Sequence, residues 1–169
     1  MKRSFIFCIT FGLLVQLHAD VGKLSAIVDG DTVKFGDTIC RFAYIDTPES
    51  KKNDRAKKKV DSCDGMTIET MIESGKESTS HLSELLEKGK SYKFDIQGED
   101  RYQRKICVIW LNNGTSVNKK MVEDGYAVPY YDYIKDENVI REMKKAYKEA
   151  KQNRRGLFVK YESSLKCIE

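Results

Sequence analysis

The sequence predicts one α+β domain in which five short strands close into a small barrel with helices packed around it. Two patterns predict this fold class. Strand-like runs bounded by glycine-containing turns begin the domain, and helical patterns of apolar residues follow the third and the fifth of these runs. With 169 residues, of which 33% are charged and 40% hydrophobic, the chain is long enough for one such domain with a substantial core.

The first element of the chain is typical of a secretory signal peptide. In MKRSFIFCITFGLLVQLHA, two basic residues precede an apolar run, and Ala19 offers a small residue for cleavage. The apolar run is short for a membrane-spanning helix, which needs about 20 residues. We therefore expect residues 1–19 to be a signal peptide. Residues 20–169 would form an exported domain, secreted or periplasmic, that is not stably associated with a membrane.

Five strands are predicted from runs of apolar and β-branched residues that end at turn residues. The first two flank the turn Asp29-Gly30-Asp31, and the third ends at Pro48, which cannot donate to a sheet. Apolar residues alternate along the fourth strand, and an Asn-Gly turn follows the fifth. The predicted strands cover residues 21–28, 32–35, 39–45, 91–97 and 104–111.

Three helices are predicted from apolar residues at helical spacing. A short leucine stripe ends at Gly89, a second pattern closes at Gly125, and a third runs to about Arg155 before Gly156. Residues 50–65 are charged and almost free of large apolar side chains. For this segment we expect a solvated loop or the exposed start of a helix.

Four cysteines follow the predicted signal peptide. An even number in an exported chain permits two disulfide bonds, with three possible pairings. Bridges Cys40–Cys107 and Cys63–Cys167 form one of these pairings. Alternatively, Cys40 and Cys107 are buried thiols, because both lie inside predicted strands. A zinc site is disfavoured, since the chain has no CxxC pair.

Histidine-based chemistry is disfavoured because His81 is the one histidine beyond the predicted signal peptide. It lies on a leucine-bearing helical segment, where we expect a surface or boundary position. A His-ligated zinc site or a Ser-His-Asp triad is difficult to assemble without a second histidine. An enzyme with this sequence would depend on carboxylates, arginines, lysines, tyrosines or a metal ion.

Acidic residues at two predicted strand ends suit a hard metal ion. Asp31 opens the second strand, and Asp46 and Thr47 end the third. Oxygen donors without nitrogen or sulfur favour Ca²⁺ or Mg²⁺. The spacing does not fit an EF-hand loop. The alternative is that the stretch around Asp31 is only a turn and that Asp46 is only a cap.

Two arginines add positive charge to the same region. Arg41 lies inside the third predicted strand, and Arg104 opens the fifth. A buried guanidinium costs free energy unless an anion meets it, so both arginines beside a metal ion would hold a phosphate group. Strict alternation places Arg41 and Asp46 on opposite faces of a strand. A shared site therefore requires a bend or bulge between these two residues.

Four segments, taken in chain order, resemble the staphylococcal nuclease (thermonuclease) family: IVDGDTVKF, RFAYIDTPE, DRYQRK and SVNKKMVEDGYA. The resemblance covers about residues 22–158. It implies a five-stranded OB-fold barrel with about three α-helices, and Ca²⁺-dependent hydrolysis of DNA and RNA. Two other interpretations remain open: an inactive family member that binds nucleic acid through its barrel, and an exported structural or adhesive domain with an incidental match.

The resemblance also implies roles for individual residues. Three would hold the Ca²⁺ ion: Asp31, Asp46 and Thr47. Three would act on the attacking water or on the scissile phosphate: Glu49, Arg41 and Arg104. Four would bind the neighbouring phosphate and base of the substrate: Arg101, Tyr102, Tyr131 and Tyr133. Such contacts carry little sequence information, so we expect weak specificity for DNA or RNA.

Three features of the chain depart from the family pattern. Phe158 stands where a tryptophan is common, which concerns packing more than chemistry. Gln103 stands where a glycine is usual before the second arginine, so the turn that aims Arg104 is expected to differ. The segment from residue 50 to residue 75 is longer than in the type member. Its lysines either widen the nucleic-acid-binding surface or only solvate a loop.

Overall fold

A computed structural model describes residues 19–131 and 134–169. Most of the predicted signal peptide and Tyr133 lie outside the described residues. The strands are β1 (Asp20–Asp29), β2 (Thr32–Phe35), β3 (Thr38–Phe42), β4 (Ile45–Asp46), β5 (Ser91–Glu99), β6 (Lys105–Trp110) and β7 (Val128–Pro129). The helices are α1 (Asp54–Asp61), α2 (Ile68–Leu85), α3 (Val117–Glu123), α4 (Glu137–Gln152) and α5 (Glu162–Lys166), with a 3₁₀ helix at Gly156–Phe158.

Five strands close into a barrel in the order β1-β2-β3-β6-β5. Neighbouring strands are antiparallel except β3 and β6, which are parallel. The predicted α+β fold with a five-stranded barrel is confirmed. The structure adds the short helices α1 and α5 to the three predicted ones. Within the described residues, no helix combines the length and the apolar character needed to cross a membrane.

The core fills the barrel and the space between the barrel and its helices. Leu24, Phe42 and Ile109 are fully buried among the barrel strands, and Met71 and Met121 are fully buried on α2 and α3. Each such side chain contributes roughly 1.5–3 kcal/mol through removal from water. The barrel is therefore a rigid support for side chains at its rim.

A sharp turn separates β3 from β4. The backbone at Tyr44 has φ 70°, in the left-handed region that residues with side chains rarely adopt. Strand β4 then pairs with β7 through Asp46 and Val128. This turn supplies the bend that the sequence required between Arg41 and Asp46, and the two side chains meet on one side of the chain.

A buried asparagine on α3 holds this turn against the barrel. The Asn118 amide nitrogen donates to the carbonyl oxygens of Ala43 and Cys107, each at 2.9 Å. Its amide oxygen accepts from the Ile109 backbone nitrogen at 3.0 Å. One side chain thus fixes the end of β3 to the middle of β6.

Both candidate disulfide bonds are present. Cys40–Cys107 joins β3 to β6, and Cys63–Cys167 joins the end of α1 to the end of α5. The interpretation of Cys40 and Cys107 as buried thiols is therefore wrong. The bridges close segments with sequence separations of 67 and 104 residues. In the chain-entropy model, loops of this length stabilise the fold by about 4–5 kcal/mol each.

Candidate active site

The candidate site lies at the rim of the barrel, where the β1–β2 turn, β3 and β4 meet. In the ladder between β2 and β3, Thr32 lies opposite Arg41, so Asp31, the residue before β2, approaches the arginine. Asp46 reaches the same position from β4 after the turn at Tyr44. The three charged side chains come from three elements and are brought together by the closed barrel.

Arg41 forms the centre of the site. Its Nη1 lies 2.7 Å from Asp31 Oδ2, and its Nη2 lies 2.7 Å from Asp46 Oδ1. The side chains of Arg41, Asp31 and Asp46 are only 13%, 6% and 11% exposed. Buried charges of this kind are tolerated when they are paired and hydrogen-bonded. The Thr32 hydroxyl donates a further hydrogen bond to Asp31 Oδ1 at 2.9 Å.

The two aspartates differ in how well their charge is compensated. Burial raises the pKa of Asp31 to about 6, and Arg41 only partly offsets this effect. Burial opposes ionisation of Asp46 as well, but Lys59, Arg41 and Arg55 outweigh it and lower the pKa of Asp46 to about 2. Positive charge therefore compensates the Asp31 carboxylate less completely than it compensates the Asp46 carboxylate.

Glu49 is held in place by contacts to its carboxylate and by a helix packed against its backbone. It is 6% exposed, Arg55 Nε lies 2.9 Å from its Oε1, and Asn53 Nδ2 lies 3.4 Å from its Oε2. On the other side, α2 passes so close that a Cβ atom at Gly75 would lie 2.3 Å from the Glu49 carbonyl oxygen. Because Gly75 has no side chain, α2 can pack directly against the backbone of Glu49.

Thr47 is packed beneath the site. It is 2% exposed, and a Cβ atom at Gly30 would lie 2.9 Å from its hydroxyl oxygen. The β1–β2 turn and the DTPE segment are thus in direct contact. This contact explains why a glycine stands between Asp29 and Asp31.

Arg104 is held by a local loop. Its Nη2 and Nε lie 2.7 and 2.8 Å from Asp100 Oδ2, and Asp100 Oδ1 accepts from the backbone nitrogen atoms of Tyr102 and Arg104. Gln103 has φ 63°, a conformation that suits glycine, so this residue adopts the turn despite its side chain. Because β6 begins opposite Cys40, Arg104 enters the sheet beside the strand that carries Arg41.

The predicted substrate-binding residues fall into two places. Tyr102 is 65% exposed, and the Arg101 guanidinium carbon lies 4.9 Å from the centre of its ring. Both residues lie in the same loop as Arg104 and are exposed. Tyr131 is instead packed partly against the core, with Lys144 Nζ 5.5 Å from its ring centre. Tyr133 lies outside the described residues.

Reasoning from the sequence missed three side chains that contact the site. Asn53, Arg55 and Lys59 belong to the charged segment that was expected to be a loop or an exposed helix start, and the structure forms α1 there. The spacing of four between Arg55 and Lys59 places them on one face of a helix. That spacing, directly after the acidic segment, was the signal that could have revealed them.

The residues present fit a hard metal ion by their chemistry. Asp31, Asp46 and Thr47 offer only oxygen donors, and Ca²⁺ accepts carboxylate and carbonyl oxygens together with water. Burial raises the pKa of Asp31, and a cation bound beside this residue would stabilise its charged carboxylate. Within the described residues, no group of three or more acidic, histidine or cysteine side chains is arranged to hold a metal ion. A bound ion would complete its coordination with carbonyl oxygens and water.

Comparison with known proteins adds independent information. The family model described as "Staphylococcal nuclease homologue" matches residues 39–160. The chain is 26% identical over 148 residues to Endonuclease YhcR of Bacillus subtilis (strain 168), which covers 81% of this chain and 11% of that protein. It is 30% identical over 145 residues to the SPbeta prophage-derived endonuclease YokF of the same organism, and the match covers 81% of this chain and 43% of that protein. An uncharacterized endonuclease of Escherichia coli O157:H7 is 28% identical over 147 residues, and the match covers 84% of this chain and 80% of that protein. The chain therefore spans a minor part of the two Bacillus subtilis proteins.

Proposed function

Because this chain belongs to the staphylococcal nuclease family, we propose that it is an exported Ca²⁺-dependent nuclease that hydrolyses the phosphodiester bonds of DNA and RNA. One observation carries the proposal. The Arg41 guanidinium lies between the carboxylates of Asp31 and Asp46, which are ten and five residues away along the chain. A barrel rim that gathers buried acids around an arginine has the components for binding a metal ion and a phosphate together.

The Ca²⁺ ion would be held by Asp31, Asp46 and Thr47. When bound, it supplies positive charge to the phosphate oxygens and polarises the attacking water. The protein contributes two negative charges that are already buried and oriented. It therefore does not have to desolvate these groups when the substrate arrives.

Glu49 is the candidate base for the attacking water. Contacts with Arg55 and Asn53 and the close passage of Gly75 fix its carboxylate and backbone. A carboxylate in this position orients a water molecule and accepts its proton as the oxygen attacks phosphorus. Fixed placement matters because a displacement of about 1 Å costs on the order of 10²-fold in rate.

Arg41 and Arg104 are the candidate phosphate-binding residues. Hydrolysis places extra negative charge on the equatorial phosphate oxygens, and a guanidinium can donate to two of them at once. Lysine cannot replace this two-pronged contact. Both arginines pair with carboxylates in the structure, so the phosphate would compete with Asp31, Asp46 and Asp100 for the guanidinium groups.

The exposed ring of Tyr102 and the guanidinium of Arg101 would contact the nucleic acid next to the scissile bond. Base stacking and phosphate contacts depend neither on the base sequence nor on the sugar 2′-hydroxyl, which supports a substrate range that includes DNA and RNA. The two disulfide bonds support export, because such bonds persist in oxidising compartments.

The test is hydrolysis of plasmid DNA and of RNA by the purified protein, with Ca²⁺ or with EDTA. We expect cleavage of both substrates with Ca²⁺ and none with EDTA. Glu49→Gln should lower the rate by about 10²–10³-fold, in the range that general acid–base catalysis contributes. The control is Glu87→Gln, since Glu87 is exposed and pairs with Lys90. A protein that binds nucleic acid without cutting it would instead be the inactive family member.

A further inference from the structure

Helix α1 carries two cations that converge on the acids of the candidate site. Lys59 Nζ lies 2.6 Å from Asp46 Oδ2 and 3.7 Å from Glu49 Oε1. Arg55 Nη2 lies 3.0 Å from Asp46 Oδ1, and its Nε lies 2.9 Å from Glu49 Oε1. Each cation therefore bridges the same two acids, and each reaches them from an element outside the barrel.

Both oxygen atoms of Asp46 are engaged by these contacts. Oδ1 accepts from Arg41 and Arg55, and Oδ2 accepts from Lys59. A further cation that approaches this carboxylate meets three positive charges, so it binds more tightly if one of the three partners withdraws. Arg41 is also held by Asp31 at 2.7 Å, and Arg55 by Glu49 at 2.9 Å. The second contact of Lys59, to Glu49 Oε1, is longer at 3.7 Å, and its four-carbon stem is flexible. Lys59 is therefore the partner that can withdraw at the lowest cost.

The position of α1 is fixed at both ends, so these cations remain close to the site. At its start, the N-cap residue Asn53 contacts the site, with its Nδ2 atom 3.4 Å from Glu49 Oε2. At its end, Cys63 is bridged to Cys167. A tethered helix presents its charges at a high effective concentration.

We propose that Lys59 and Arg55 are built-in counter-ions of Asp46 and Glu49, and that a divalent cation binds by displacing the Lys59 ammonium from Asp46. This inference rests on the proposed Ca²⁺ site. Without a divalent cation, the two side chains keep the buried acids paired. With one, the protein exchanges an internal positive charge for an external one. The apparent affinity for the divalent cation is then the intrinsic affinity multiplied by the fraction of protein in which Lys59 has left Asp46.

The test is a Ca²⁺ titration by calorimetry of the wild-type protein, Lys59→Met and the control Lys58→Met. Lys58 lies next to Lys59 on α1 and is exposed, so the control removes the same charge from the helix without touching the acids. We expect Lys59→Met to bind Ca²⁺ about tenfold more tightly than wild type. The affinity of Lys58→Met should stay within about twofold of wild type, because exposed charges are screened.

A melting experiment without Ca²⁺ gives a second readout. Lys59→Met should melt at a lower temperature than Lys58→Met, because Asp46 and Glu49 lose a partner, and added Ca²⁺ should abolish this difference in melting temperature. Arg55→Gln serves as a second variant. It should also bind Ca²⁺ more tightly than wild type, but by a smaller factor than Lys59→Met, since the Arg55 side chain is 45% exposed.

The outcomes separate this inference from the proposed function. If wild type binds Ca²⁺ and Lys59→Met binds it equally or more weakly, the lysine is a structural partner or a support of the site, and the exchange is overturned alone. If neither protein nor Arg55→Gln binds Ca²⁺, the cation site itself is overturned together with the exchange. Tighter binding by Lys59→Met supports both.

Discussion

The two arginines expected to bind the phosphate are fixed in different ways. Arg41 contacts Asp31 and Asp46, which come from other elements, and its side chain is 13% exposed. Arg104 contacts Asp100, four residues away in the same loop, and its side chain is 22% exposed. The first network exists only when the barrel is closed, whereas the second depends on one turn. The candidate site therefore has a part built by tertiary structure and a part built locally.

This difference implies that substitutions in the two parts should have distinct effects. A change in the part around Arg41 should alter stability and activity together, because the same contacts hold the barrel rim. A change in the loop around Arg104 should alter activity with little effect on stability. Measuring both quantities for matched variants tests this separation.

The largest effect is expected from Arg41→Ala. It should lower kcat on single-stranded DNA by about 10³-fold or more, as loss of an arginine finger does. It should also lower the free energy of unfolding by about 3–5 kcal/mol, because Asp31 and Asp46 lose a buried partner. Steady-state kinetics and urea denaturation measure the two changes.

The matched variant is Arg104→Ala. We expect a comparable loss of kcat but a loss of stability below about 1 kcal/mol, since its ion pair with Asp100 is local and partly exposed. Equal losses of stability in both variants would contradict the division of the site into a tertiary and a local part.

The next effect concerns the turn that brings Arg41 and Asp46 together. Asn118→Leu removes three buried hydrogen bonds, which leaves two carbonyl oxygens and one backbone nitrogen without their partner. We expect a loss of about 3 kcal/mol or more in urea denaturation. A loss below about 1 kcal/mol would mean that the turn at Tyr44 holds without this side chain.

A smaller effect is expected from Gly75→Ala on α2. The new methyl group would lie 2.3 Å from the Glu49 carbonyl oxygen, so the segment that carries Glu49 must move. We expect about 1–3 kcal/mol of destabilisation and roughly 10²-fold lower kcat. Gly98→Ala is the control, because a Cβ atom there meets nothing within 4 Å. Unchanged kcat in Gly75→Ala would show that the rate does not depend on the position of Glu49.

The smallest effect is expected in the local part of the site. Gln103→Gly removes the strain of a side chain at φ 63°, and the greater freedom of glycine in the unfolded chain offsets part of the gain. The net stabilisation should be about 0.5 kcal/mol, with kcat unchanged. Thermal melting measures the change in stability, and steady-state kinetics measure kcat. A clear loss of kcat would show that Gln103 itself takes part in aiming Arg104.

The barrel could be predicted from the sequence because its strands carry their own signals. Alternating apolar residues and turn residues identify β1, β2, β3, β5 and β6. The sequence showed that a site shared by Arg41 and Asp46 needs a bend between them. It did not show where the bend lies, since a tyrosine does not favour the φ of 70° found at Tyr44. The pairing of β4 with β7 could not be predicted, because each strand has two residues.

The helical side of the site was harder to predict for two physical reasons. Helix α2 buries small residues such as Ser74 and Ser78 where it passes the site, so its apolar pattern is interrupted between Ile72 and Leu82. The role of α1 depends on where the helix docks: Lys58 and Lys59 are alike in sequence, yet only the second lies against Asp46. The expectation that Arg104 belongs with Arg41 remains a prediction, as do the assigned roles of the site residues.

The most direct test of the central claim is a crystal structure of the protein with Ca²⁺ and a mononucleotide. Our account predicts the ion at about 2.3–2.6 Å from carboxylate oxygens of Asp31 and Asp46 and from the Thr47 carbonyl oxygen. It also predicts Arg41 on the nucleotide phosphate and Lys59 withdrawn from Asp46. Ca²⁺ bound elsewhere, with Arg41 still bridging the two aspartates, would contradict it.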